Sequence, residues 1–186
     1  MILDNLGLPK IQGADDFNDS AMFAGMLEAF NWPQYIPLKM YVVSRGKYTR
    51  HPRESKYKFS RDQTIPLFAG LQRLGLAALV DPDYKTEGDF ISPDVRGHIR
   101  RCAGLTATWY QDAALWLAML YHIYVNPEHE SNQILCMLWI HHDDKYLKYF
   151  CNNYKYERSI RDYWENWRQE SEFAEHMIKV IRERIK

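Results

Sequence analysis

Two helix starts in the chain carry the residue types that general acid/base chemistry needs. Ser60-Arg61-Asp62-Gln63 and Gly88-Asp89-Phe90-Ile91-Ser92-Pro93 each place a carboxylate where free backbone N–H groups and the positive end of a helix dipole gather anions. His98 follows one and a half turns into the second helix. If both starts face one cleft, Asp62 and Asp89 form a carboxylate pair fit for hydrolysis, with His98 as a third catalytic candidate. Their separation would decide whether water or an enzyme carboxylate attacks the substrate. Arg50, His51 and Arg61 would hold a polar substrate nearby. The structural alternative is that Asp62 occupies a first helical turn because the dipole favours it, and that Gly88-Asp89 is a turn.

A second constellation is electrostatic. Eight basic side chains between Lys39 and Arg61 face one acid, Glu54, and Tyr41, Tyr48, Tyr57 and Phe59 are interleaved with them. Such a basic hairpin can track a phosphate backbone and stack on bases, with Arg45, Lys47 and Arg50 as its binding residues. The alternative is internal compensation by Asp81, Asp83, Glu87, Asp89 and Asp94. The whole chain balances 24 basic against 24 acidic residues. That balance argues against a protein whose main task is to coat nucleic acid or an anionic membrane.

His141-His142-Asp143-Asp144, with Glu128, His129 and Glu130 upstream, invites a metal reading, because His141 and Asp144 are three apart and can share a helix face. Neither an HExxH nor a repeated ExxH pattern accompanies them, and Asp143 fits a helix N-cap. The sequence therefore predicts no metal site and no cofactor. It also lacks a phosphate-binding Gly-rich loop, a G-x-S-x-G elbow and a dinucleotide fingerprint. Cys102, Cys136 and Cys151 are odd in number and form no CxxC pair, which favours reduced thiols in a cytosol-like compartment. The start MILDNLGLPKIQG does not read as a secretory leader, and Ala113 to Tyr121, the longest apolar run, is about half of the roughly 18 residues a membrane span needs. A soluble, cytoplasmic protein is expected.

The segments RHP at Arg50 to Pro52, SRDQ at Ser60 to Gln63, GDFISP at Gly88 to Pro93 and DYWENWRQE at Asp162 to Glu170 resemble, in that order and over most of the chain, a family of proteins from tailed phages. The resemblance implies an origin, and with it the host cytoplasm, but no chemistry. DSAMFAGML, SRDQ and GDxxSP also resemble helix starts of α/α-toroid carbohydrate enzymes, although 186 residues are too few for a toroid of six helical hairpins.

The elements that must position these residues are mostly helical. At 186 residues, 46% hydrophobic and 26% charged, the chain fits one domain with a sizeable core. Residues 1–18 read as an arm over the body. Asp19 or Ser20 caps a helix through Phe30, which Pro33 stops. Met40 to Thr49 reads as a β-hairpin turning at Arg45-Gly46, the one clear strand signal. Ser60 to Gln63 has the form of a capping box opening a helix to Leu71, with Pro66 demanding a kink or a later start at Thr64. Leu76 to Val80 is a short helix, and Pro93 to Cys102 a helix with Ser92 as N-cap. Thr106 to Val125, apolar nearly all round, should be the central and most buried helix. Four helices follow: Gln133 to His141, Asp144 to Asn152, Ser159 to Trp167 and Phe173 to Ile185. The predicted architecture is a mainly α, single-domain array with one inserted hairpin. The aromatics from Tyr146 to Trp167 belong mostly to the core, and any that are exposed suit a protein interface.

Three functions remain open at this level. The first is a non-enzymatic accessory or interaction protein that binds a protein partner through the basic hairpin and the carboxy-terminal aromatics. The second is a small hydrolase with a glycan among its candidate substrates, and the third is a nucleic-acid-binding module centred on Lys39 to Arg61.

Overall fold

The computed structural model describes residues 1–10, 17–53, 59–85, 91–125, 129–141 and 143–186. The array is mainly α, as predicted. In chain order it runs β1 (Ile2–Leu3), β2 (Pro9–Lys10), α1 (Ser20–Ala29), β3 (Val42–Ser44), β4 (Lys47–Tyr48), α2 (Arg61–Arg73), α3 (Pro93–Cys102), α4 (Trp109–Tyr124), α5 (His129–Ile140), α6 (Asp144–Asn153), α7 (Tyr156–Arg161) and α8 (Ser171–Ile185). The predicted hairpin is β3 and β4, antiparallel, with Val42 opposite Tyr48. Gly46 takes φ of 72° at its turn, a conformation cheap only for glycine. A second antiparallel pair, β1 with β2, lies in what the sequence presents as an arm. Asp4 holds it: Oδ1 accepts the backbone N–H of Leu6 at 2.8 Å and of Leu8 at 3.0 Å, and Leu8 is wholly buried.

The centre of the molecule is α1, not α4. All ten residues of α1 are buried, Ser20 and Glu28 included. Only Gln111, Leu115, Met119 and His122 are buried in α4. These four recur at helical spacing on one narrow stripe, so α4 packs against the body by one side and lies at the surface. The expectation of a central Thr106 to Val125 helix fails for this reason.

Helix α1 packs most closely on α2, where glycine makes the approach possible. A Cβ on Gly25 would overlap the backbone of Pro66 and Leu67. One on Gly70 would meet Leu38 Cδ1 at 2.7 Å and Gly25 O at 3.0 Å. Helix α2 begins at Arg61 with Pro66 inside it, and not at Thr64. Nor does Ser60-Gln63 form the expected capping box: Ser60 gives no side-chain cap, and Gln63 Oε1 instead accepts the Met22 N–H of α1 at 2.9 Å. The reciprocal pattern occurs at α4, where Gln111 Oε1 accepts the Thr108 N–H at 2.8 Å. Helix α3 matches its predicted bounds. The predicted Ser159 to Trp167 helix starts earlier, as α7, and widens into a π-helical stretch over Asp162–Trp167.

Gly25→Ala tests the crossing. Because the added methyl meets backbone that cannot rotate away, the variant should lose about 3 kcal/mol or more, or fail to fold. Equilibrium denaturation measures the loss, and stability within about 0.5 kcal/mol of the parent would contradict the packing described.

Candidate functional site

Asp62 is half-buried in the first turn of α2, where the Ser60 hydroxyl donates to one carboxylate oxygen and Gln63 Nε2 lies 3.4 Å from the other. The same amide stands 3.3 Å from Asp19 Oδ1, so the acid brought beside Asp62 is Asp19, from the start of α1. Asp19 is itself engaged. Arg168 Nη2 lies 2.6 Å from its Oδ2, and Arg50 Nη1 4.0 Å from its Oδ1. The Arg168 guanidinium covers Phe23, Tyr163 and Trp167, the last at 4.6 Å from the ring centroid. Two acids and two guanidiniums thus balance within one cluster. Asp89 lies outside the described residues.

The remaining binding candidates separate into buried and exposed groups. Arg61 pairs with Asp94 at 3.4 Å, while Arg50 Nη2 donates to Ser60 Oγ at 2.8 Å. His51 is wholly buried, stacked on Phe17 at 4.0 Å, with Nε2 3.2 Å from Asp4 Oδ2. Only Arg45 and Lys47 of the five project as exposed cations. Tyr41, Tyr48 and Phe59 are buried. The Tyr48 ring sits 4.7 Å from Phe68 and 5.0 Å from Tyr84, and its hydroxyl donates to Leu79 O at 2.9 Å. These three rings are core, and no base can stack on them. Tyr57 falls outside the described residues.

His98 is buried, and its ring nitrogens contact groups other than Asp62. Its Nε2 is 2.8 Å from Ile65 O of α2, and its Nδ1 2.8 Å from His141 Nε2. Cys102 Sγ, one turn further along α3, lies 3.6 Å from His98 Nε2 and 3.9 Å from Nδ1. Burial pushes the His98 imidazole down to about 4, so the ring is neutral at neutral pH. Of the run His141 to Asp144, His141 joins this cluster, whereas Asp144 pairs with Arg184 at 2.7 Å and His142 lies outside the described residues. In the sequence nothing links His98 to His141, and the i, i+4 spacing of His98 and Cys102 is the one local signal of the cluster.

The surface feature that sequence reasoning missed is the outer side of α4. Trp109 is 83% exposed, Tyr124 74%, Leu117 64% and Tyr121 52%, with Tyr110 and Val125 also exposed. At 100° per residue, Trp109, Tyr110, Ala113, Leu117, Tyr121 and Tyr124 occupy an arc of about 120°, opposite the buried stripe. No charged residue falls on that arc. Within it, Tyr110, Ala113, Leu117, Leu120 and Tyr124 repeat at intervals of three and four, the spacing of a helix-pairing seam.

A cleft of about 950 Å³ opens elsewhere, lined by Ile123, Tyr154, Arg158, Asp162, Tyr163 and Trp167 among others. Tyr163 touches both this cleft and Arg168, but none of the site residues predicted from sequence lines it. No helix among the described residues is long and apolar enough to cross a membrane. Comparison with protein-family models, with curated proteins and with solved structures finds no match.

The pairing of Asp4 with His51 yields a pH prediction. Burial alone would raise the Asp4 carboxyl, but the Leu8 and Leu6 N–H groups, His51 and Arg53 outweigh it and hold the group below its ordinary 3.8. The folded state thus binds this proton less tightly than the unfolded state. Its stabilisation is complete above about pH 4 and is lost as pH falls through the lower folded value. Asp4→Ala should therefore cost about 1–3 kcal/mol at pH 7, and the deficit should shrink below about pH 4. Urea denaturation at both pH values checks it; a deficit that grows on acidification would overturn the assignment.

Proposed function

We propose that this protein is a non-enzymatic accessory protein that works by association, with a second copy of itself as the partner at α4. The observation that carries this reading is the uncharged aromatic face of that helix. Taking ~150–250 Å² for a whole aromatic side chain, the exposed parts of Trp109, Tyr110, Leu117, Tyr121, Tyr124 and Val125 offer on the order of 600–800 Å² of apolar surface. A standard interface takes about 800 Å² from each partner, and the largest patch on an ordinary monomer is about 300–600 Å².

The face is also self-complementary, as a two-fold interface requires. An antiparallel pair crossing at Leu117 sets Tyr110 of each copy against Tyr124 of the other, and Ala113 against Tyr121. Each large ring then meets a ring or a small residue, and no like charges are brought together. The likeness to tailed-phage proteins bears on origin alone, and would put this association in a host cytoplasm.

A second reading, a small hydrolase, draws support from the Gln63 amide that bridges Asp19 and Asp62. It has less behind it, because those acids are already engaged by Arg168, Arg50 and Ser60. Nucleic-acid binding keeps Arg45 and Lys47 as exposed cations, while Tyr41, Tyr48 and Phe59, the described aromatics of that region, are buried.

Sedimentation at micromolar concentration should show a dimer. Leu117→Glu should raise the dissociation constant about 100-fold by placing two carboxylates at the crossing. Its melting and helix content should match the parent, since Leu117 makes little contact within one chain. A wild-type monomer at high micromolar concentration, or a dimer indifferent to Leu117→Glu and Tyr124→Glu alike, would refute the reading. Monomers that bind a different protein through the same face would replace the second copy as occupant.

A further inference from the structure

We propose that His98, Cys102 and His141 bind one transition-metal ion of the zinc class. One ligand atom from each of the three lies within 4.8 Å of those of the other two. They come from two places in the chain: His98 and Cys102 stand one turn apart on α3, and His141 directly follows α5. The cluster is distinct from the α4 face and independent of what that face binds.

The donor set selects the metal. Two imidazoles and a thiol suit zinc and its borderline neighbours, and exclude calcium and magnesium, which require oxygen ligands. The second contact of His98 matters as much. With Nε2–H donating to Ile65 O at 2.8 Å, the Nδ1 lone pair is the one that faces His141. A ligating histidine characteristically donates its other N–H to a backbone carbonyl in this way, which fixes tautomer and ring orientation.

Two of the three donor spacings are close to what an ion needs, and the third, Cys102 to His141, lies within 4.8 Å. Zinc bonds of ~2.0–2.1 Å to nitrogen and ~2.3 Å to sulfur put tetrahedral donors about 3.3–3.6 Å apart. The imidazole nitrogens at 2.8 Å must separate by about half an ångström, and Cys102 Sγ, 3.9 Å from His98 Nδ1, must close by a few tenths. On binding, the Cys102 thiol gives its proton to solvent, His141 exchanges its Nε2 proton for one on Nδ1 through solvent, and the ion replaces the His98–His141 hydrogen bond. Three protein ligands leave a fourth position for water or another donor, on the side where His141 is half-exposed. The ion would join α3 to the end of α5, with α2 held through Ile65.

The test uses the full chain, stripped with chelator under reducing conditions. Zinc should bind at one ion per chain and raise Tm by about 5–10 °C at a concentration ~100-fold above its dissociation constant. Cobalt(II) should give a thiolate-to-metal charge-transfer band. That band should survive Cys136→Ser and Cys151→Ser and vanish in Cys102→Ser. His141→Ala should weaken zinc binding at least about 100-fold with circular dichroism unchanged. Absence of both the Tm shift and the band in wild-type protein would overturn the proposal. So would a band that persists without Cys102.

Discussion

Much of this structure depends on the close crossing of α1 and α2, where Gly25 and Gly70 let two backbones meet. Because α1 then has no solvent-facing side, both its ends must be satisfied by protein groups. They are. The first four N–H groups of the helix, from Ser20 to Phe23, donate to Phe17 O, Arg50 O, Gln63 Oε1 and Asp19 O. At the other end Asn31 adopts φ of 56°, and the Trp32 and Asn31 N–H groups return to Leu27 O and Glu28 O, which closes the helix in a left-handed cap. Trp139 Nε1 and His176 Nε2 take the carbonyls of Ala29 and Phe30, each at 2.8 Å. Helices α2, α5 and α8 and the strand region are thereby tied to one buried rod by directional bonds as well as by packing.

That arrangement explains why polar residues with catalytic-looking neighbours are engaged in structure. Gln63 is the clearest case. In the sequence it completes a capping box, but α2 leaves its own start uncapped because the nearby α1 N-terminus has an orphan donor in a drier place, where an unmade bond costs more. Asp19, Arg50 and Arg168 follow the same logic: two chain regions bring guanidiniums to the acid at the start of α1, and the rings of Phe23, Tyr163 and Trp167 support one of them.

Local chemistry was legible in the sequence, and tertiary choices were not. The Ser92-Pro93 start of α3 and the Arg45-Gly46 turn were readable because each depends on a few adjacent residues with fixed backbone preferences. The β1 and β2 pair was hidden: Asp4 organises it through side-chain bonds within a turn, and two-residue strands have no alternation to detect. The pairing of Asp62 with Asp19 and the convergence of His141 on His98 span more than forty residues, and no periodicity reports such distances. Helix α4 misled for a different reason. Apolar character on every side says that each side avoids water, without saying whether the cover comes from the same chain.

Layering of the helices relates the His98, Cys102 and His141 cluster to the exposed face. Helix α3 lies between α2 and α4, and it turns His98 toward Ile65 of α2. On its other side Gly97 lets Gln111 come close, since a Cβ there would stand 3.0 Å from Gln111 Cβ. Arg101 and Asp112 clasp the same junction at 2.5 Å. Gln111 also holds the Thr108 N–H, so the start of α4 is fixed by the residue that seats it on α3. Leu115, Met119 and His122 complete the inner stripe, which anchors α4 without the help of its outer residues. The outer aromatics therefore contribute little to the folded chain and leave a large apolar area in water. The hydrophobic effect rewards covering that area whatever supplies the cover. On the uncharged outer face of α4, with its seam spacing, the cover that the proposed association supplies is the same helix of a second copy.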